Sequence, residues 1–219
     1  MINSMRKNEI IHEKLLWWSK DNLRDFPWRK TSDPYKIFIA EIMLHRTRAS
    51  QVEGIYKNFI KKYSDFKSIC DACPEKIIDE LSGLGLQWRV QLLYQLSCDI
   101  EREYNGLIPV DKNELLKLPG IGPYITAAFL CFAYDIPKPL LDTNIVRVIG
   151  RIFGLKITDS SRRSKKFENI MRDIIKSGNC KQVSLALIDF AEAICKPKVP
   201  LCNICFLNNL CYYYKHFIG

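Results

Sequence analysis

An all-α fold is what this chain of 219 residues predicts, on three observations. Apolar residues recur at three- and four-residue spacing along almost its whole length, alternating strand patterns are absent, and short turns built on glycine and proline separate the helical stretches. The spacing implies about ten helices. Apolar residues make up 47% of the chain, enough for a packed core in one large domain or two small ones. There is no internal repeat and no low-complexity linker.

The elements follow in order. Ile11, Leu15 and Trp18 mark a first helix. Asp33 before Pro34 reads as a cap with proline at the first helical position. The helix behind it, through Ile37, Ile39, Ile42 and Leu44, is apolar on most faces and should be buried. Val52, Ile55, Tyr56, Phe59 and Ile60 give the next. Pro74 opens another, which ends near Gly83 and Gly85, and Val90, Leu93, Leu96 and Ile100 continue the series. The stretch Leu118 to Thr126 then reads Leu-Pro-Gly-Ile-Gly-Pro-Tyr-Ile-Thr. Gly120 and Gly122 let the backbone turn sharply and approach a ligand, and the helix that follows starts with outward amides suited to a phosphate. This is a helix–hairpin–helix signature, whose contacts would be independent of base sequence. Asp142 begins the run Asp-Thr-Asn-Ile-Val-Arg-Val, where an aspartate caps a helix.

A net charge of +9 favours a polyanionic partner, nucleic acid before an anionic membrane. No stretch reaches the roughly 18 apolar residues of a membrane span. Charged residues from Arg6 to Lys14 interrupt any signal peptide, so the expectation is a cytoplasmic protein with reduced thiols. Cys70, Cys73, Cys98, Cys131 and Cys180 lie among apolar neighbours and are expected to be buried free thiols. Cys195, Cys202, Cys205 and Cys211 differ, with six, two and five residues between successive thiols. Four thiolates on one short loop can hold zinc or a [4Fe–4S] cluster.

From Phe26 to Cys211 the chain resembles the helix–hairpin–helix DNA glycosylase superfamily, the group of endonuclease III and the adenine glycosylases, and within it the thymine/guanine mismatch enzymes. The resemblance rests on Phe26-Pro-Trp-Arg29, Asp33-Pro-Tyr35, Ala40-Glu-Ile-Met-Leu44 with Arg46-Thr47, Leu118 to Thr126, Asp142 to Val148, and the four cysteines. It implies two lobes. Residues 26–135 would form a six-helix barrel carrying the hairpin at 118–126. Residues 1–25 and 136–219 would form a cluster domain, its [4Fe–4S] loop spanning 195–211. It implies a monomer that binds double-stranded DNA containing a mismatched or damaged base, without a membrane, in the cytoplasm and associated with the nucleoid.

The resemblance also implies roles. Asp142 would be the catalytic carboxylate, with Tyr124 and Glu41 as the other catalytic candidates at the pocket wall. Leu118, Gly120, Gly122 and Thr126 would meet DNA through the hairpin. His45 and Arg46, where relatives often carry glutamine, and Leu86 with Gln87 would enter the gap left by an extruded base. Bifunctional relatives place a lysine where this chain has Tyr124, and a phenol cannot form an imine. The implied activity is a monofunctional glycosylase that flips out thymine or uracil opposite guanine and leaves an abasic site. The alternatives are adenine removal opposite 8-oxoguanine or guanine, removal of another modified pyrimidine, and a non-catalytic iron–sulfur DNA binder. Each marked residue also has a bland reading: a cap for Asp142, a core aromatic for Tyr124, and an ion pair with an arginine such as Arg46 for Glu41.

Overall fold

A computed structural model describes residues 4–85 and 87–219, the side chains of residues 4, 5, 87 and 89 aside. Its helices, in chain order, are α1 (Ser4–Asn22), α2 (Pro34–Leu44), α3 (Ala49–Lys62), α4 (Phe66–Cys70), α5 (Pro74–Glu80), α6 (Gln87–Tyr104), α7 (Lys112–Lys117), α8 (Pro123–Tyr134), α9 (Thr143–Phe153), α10 (Lys165–Ile175), α11 (Cys180–Ala193) and α12 (Tyr212–Phe217). Among the described residues there is no strand, and no helix is long and apolar enough to cross a membrane. The helix count exceeds the expected ten because α4, α7 and α12 are only five to six residues long, too short to show a period in the sequence.

The local signals act as their chemistry dictates. Asp33 accepts from the Tyr35 amide at 3.0 Å while Pro34 opens α2. Asp65 and Ser68 cap each other's backbone at the start of α4. The apolar stretch of α2 is buried from Ile37 to Met43. Helix α3 shows one core face, through Val52, Tyr56 and Phe59.

The chain divides into two compact units. One is Asp25–Ala133. Its core holds Phe38 against Phe129 on α8, ring centroids 4.8 Å apart, and Tyr35 against Phe66 at 4.9 Å. The Tyr35 hydroxyl donates to the Tyr63 carbonyl at 2.7 Å. The other unit comprises Met1–Arg24 with Tyr134–Gly219. Here α1 packs on α10 and α11. Trp18 meets Phe190 edge-on and stacks on Phe206. His12 donates through Nδ1 to the Ile174 carbonyl at 2.7 Å, and Lys7 donates to the Ile152 carbonyl at 2.9 Å. Arg24 closes the unit: its Nε and its amide both donate to the buried carboxylate of Asp189, at 2.7 and 2.8 Å.

The cysteines require a correction. Cys131 and Cys180 are buried as expected, but Cys70 and Cys98 are joined by a disulfide between α4 and α6, and Cys73 is exposed. Both bonded residues are half-buried rather than deep in the core. Their pairing depends on α4 lying against α6, which spacing along the chain does not encode.

Candidate active site

In the unit Asp25–Ala133 the chemistry gathers on α2 and the hairpin. Glu41 lies on α2, buried at 6% exposure among the apolar residues of that helix. Burial pushes its carboxyl up to about 7, against the pull of the Arg29 guanidinium. Arg46, the partner suggested by proximity in sequence, is exposed. Arg29 instead sits over the Phe26 ring at 5.3 Å, and Phe26 stacks on Trp28 with centroids 4.8 Å apart. The segment Phe26-Pro-Trp-Arg29 is thus a small aromatic shelf that holds a cation acting on Glu41.

The turn after α2 holds His45, half-buried, and Arg46, whose φ of +64° is left-handed for a non-glycine residue. Leu86 lies outside the described residues, as does the side chain of Gln87. Beside them is a feature that the sequence reading missed. Trp88, 46% exposed on the first turn of α6, lines an apolar recess with Ile42, His45, Leu92, Pro119 and Gly120.

The hairpin joins α7 to α8. The Leu118 amide donates to the Leu115 carbonyl and the Ile121 amide to the Leu118 carbonyl, both at 3.2 Å. Gly120 has φ +76°, and a Cβ there would stand 3.2 Å from Leu92 Cδ1. Gly122 is not left-handed, and a Cβ on it would meet nothing within 4 Å. Leu118 and Thr126 are buried, 5% and 2% exposed, so what this turn presents outward is backbone. The Thr126 hydroxyl is buried without a hydrogen-bond partner. Tyr124 is half-buried on the first turn of α8.

In the other unit Asp142 caps α9: its Oδ1 accepts from the Ile145 amide at 2.7 Å. Its Oδ2 accepts from Asn144 Nδ2 at 3.1 Å. Asn144 Oδ1 accepts in turn from Arg147, at 3.0 Å, and the same guanidinium donates to the carbonyls of Cys195 and Ala191 at 3.0 and 2.9 Å. A half-exposed carboxylate is therefore held by two donors and backed by a polar chain that ends on the first cysteine of the loop. Sequence reasoning marked Asp142 but gave Asn144 and Arg147 no task; their i+2 and i+5 spacing from Asp142 was the signal available.

All four thiols of the loop line one recess of about 360 Å³. Among the described residues, however, no three His, Cys, Asp or Glu side chains converge to hold a single metal ion. The expected ligand cluster appears as a lined recess and not as a point. Arg151 grips the loop from α9, donating to the Lys196 and Pro197 carbonyls at 2.6 and 2.7 Å and approaching Cys195 Sγ at 3.5 Å. Burial pushes the Cys205 thiol up to about 11, and it raises Cys202 and Cys211 as well. The neighbouring thiolates add to each shift. A bound cation would offset the burial that keeps Cys202, Cys205 and Cys211 protonated, so the four-sulfur donor set suits a metal-containing group.

Comparison with known proteins bears on both units. The model of the HhH-GPD superfamily base excision DNA repair protein matches residues 39–175. A thymine/uracil-DNA glycosylase from Methanothermobacter thermautotrophicus is 37% identical over 211 residues, 96% of this chain and 95% of that protein. A second thymine/uracil-DNA glycosylase, from Pyrobaculum aerophilum, is 35% identical over 206 residues, 91% of this chain and 89% of its own length. The solved structure of a thermostable thymine-DNA glycosylase superposes with a TM-score of 0.88 at 34% identity, covering 96% of this chain and 97% of that one.

Proposed function

The chain belongs to the HhH-GPD superfamily of base excision DNA repair proteins, and from that premise we propose that it hydrolyses the N-glycosidic bond of thymine or uracil mispaired with guanine, leaving an abasic site. It is a DNA N-glycosylase. The observation that carries the mechanism is the fixed carboxylate of Asp142.

Breaking the bond from sugar to base builds positive charge on the sugar. An anion held in place before the reaction stabilises that charge without having to reorganise. Asp142 has such a fixed position, and it can also orient or deprotonate the attacking water. The flipped base leaves as an anion, which needs donors. Glu41, with its carboxyl near neutrality, can donate a hydrogen bond to it, and Tyr124 is the second candidate at the pocket wall. The hairpin amides at Gly120 and Gly122 would take phosphates, and His45, Arg46, Leu86 and Gln87 would fill the gap in the stack. We place the enzyme in the cytoplasm on the nucleoid, acting as a monomer.

The recess of Cys195, Cys202, Cys205 and Cys211 would hold a [4Fe–4S] cluster. The four thiols would be its ligands, and their spread around a recess, with no three converging on one point among the described residues, favours a multi-iron group over a single zinc ion. When bound, the cluster neutralises the thiolates and fixes the loop. Arg147 and Arg151 tie that loop to α9, and Lys196 and Lys198 extend it toward phosphates. Purified protein should contain about four irons per chain and be yellow-brown. Stoichiometric zinc without visible absorbance would overturn the assignment.

Two measurements test the reaction. Single-turnover base release from T·G and U·G duplexes should exceed release from T·A by at least about 10²-fold, since a wobble pair is cheaper to extrude and the guanine edge offers contacts that adenine lacks. Faster release of adenine opposite 8-oxoguanine than of thymine would favour the adenine reading. The DNA backbone should also stay intact until alkali is added, and borohydride should trap no covalent complex. Lys117, the amine nearest in sequence to Tyr124 on the hairpin side, is paired with Glu114 at 2.7 Å. Efficient trapping would assign a lyase instead.

A further inference from the structure

Three cysteines outside the loop recess form an arrangement that the glycosylase reading does not use. Cys70 closes α4 and is bonded to Cys98 in the middle of α6, their Cα atoms 5.0 Å apart. Both residues are half-buried and not enclosed in the core. Three residues beyond Cys70, across the Asp71–Ala72 turn, stands Cys73. It is exposed, and its thiol donates to Glu75 Oε2 at 2.6 Å. Cys131 and Cys180, by contrast, are buried and reach no solvent.

We propose that Cys70, Cys73 and Cys98 form a thiol–disulfide exchange site whose reagents are low-molecular-weight thiols and their disulfides. The exchange needs no outside electron acceptor. Cys73 gives its proton to solvent, and its thiolate attacks the Cys70 sulfur. A Cys70–Cys73 bond forms, and Cys98 leaves as a thiolate that takes up a proton. Two small thiols then reduce the new bond, each giving up one hydrogen, and leave joined as the small disulfide. Oxidation by the same small disulfide runs the sequence in reverse. The bond clips α4 to α6, and Leu92 of α6 is the side chain against which Gly120 of the hairpin is packed. Opening the clip therefore loosens the helix that backs the hairpin turn.

The test is independent of base release, so its failure leaves the glycosylase reading intact. The whole protein is alkylated without reductant, digested with trypsin and mapped. Residues 68–76, which carry Cys70 and Cys73, should be joined to residues 90–102, which carry Cys98. A millimolar monothiol should free both peptides and lower the melting temperature by roughly 5–10 °C. Cys98→Ala should melt like the reduced protein and show no further shift with thiol. Cys73→Ser should keep the Cys70–Cys98 bond but open several-fold more slowly. Alkylation of Cys70 and Cys98 without reductant, or unchanged opening in Cys73→Ser, would overturn the proposal.

Discussion

Asp142→Asn should lower single-turnover base release by about 10³-fold or more, roughly 4 kcal/mol of transition-state stabilisation, while mismatch binding stays within a few-fold. The substitution is nearly silent structurally. Asparagine still offers an oxygen to the Ile145 amide, so the cap on α9 survives. The new amide group then faces Asn144 Nδ2, donor against donor. Asn144 cannot turn over to relieve this, because its oxygen is committed to Arg147. The expected cost in stability is about 1 kcal/mol, far below the loss in rate. Single-turnover kinetics with gel-shift binding on the same T·G duplex separates the two. Near-normal turnover in the variant would reduce Asp142 to a helix cap.

Wild-type release should fall about ten-fold per pH unit above about pH 7, and Glu41→Gln should flatten that profile. The cause is burial, which holds the Glu41 carboxyl near 7 and so leaves it a hydrogen-bond donor below that pH. Glutamine donates at every pH. A stability signature accompanies the rate. The folded protein holds the Glu41 proton more tightly than the unfolded chain, whose carboxyl titrates near 4.5. Ionisation in the unfolded state therefore draws stability away as pH rises from about 4.5 to about 7, after which the loss is complete. The span corresponds to on the order of 3 kcal/mol. Glu41→Gln should remove this slope, so that its melting temperature exceeds that of wild type at pH 8 but not at pH 4. A wild-type rate flat from pH 6 to 9 would remove the proton-donor role.

What the sequence made legible was chemistry confined to one turn of chain. Asp33-Pro34, the paired glycines of the hairpin and the cap at Asp142 each carry their cause within a few residues. What it hid was pairing across distance. Arg29 acts on Glu41 because a 3-10 turn, Pro27–Arg29, folds it over Phe26, and Arg46, nearer in sequence, ends exposed. Cys70 meets Cys98 only once α4 lies on α6. Arg147 reaches the Cys195 carbonyl, 48 positions away, because α9 runs beside the end of α11. The buried hydroxyl of Thr126 and the exposed indole of Trp88 contradict what their residue types suggest, and no local pattern reports either.

Helix α1 has a consequence for biosynthesis. Its partners are α10 and α11, and the bond from His12 to Ile174 spans 162 positions. At ribosomal speeds of about 5–20 residues per second, α1 is made roughly ten to thirty seconds before the surface that covers Ile11, Leu15 and Trp18 exists. The continuous unit Asp25–Ala133 can finish folding during that interval, but the unit that holds Asp142 cannot. The nascent chain thus carries a helix with an uncovered apolar face ahead of a folded neighbour. A holdase that recognises such helices would bind the first 24 residues on the ribosome.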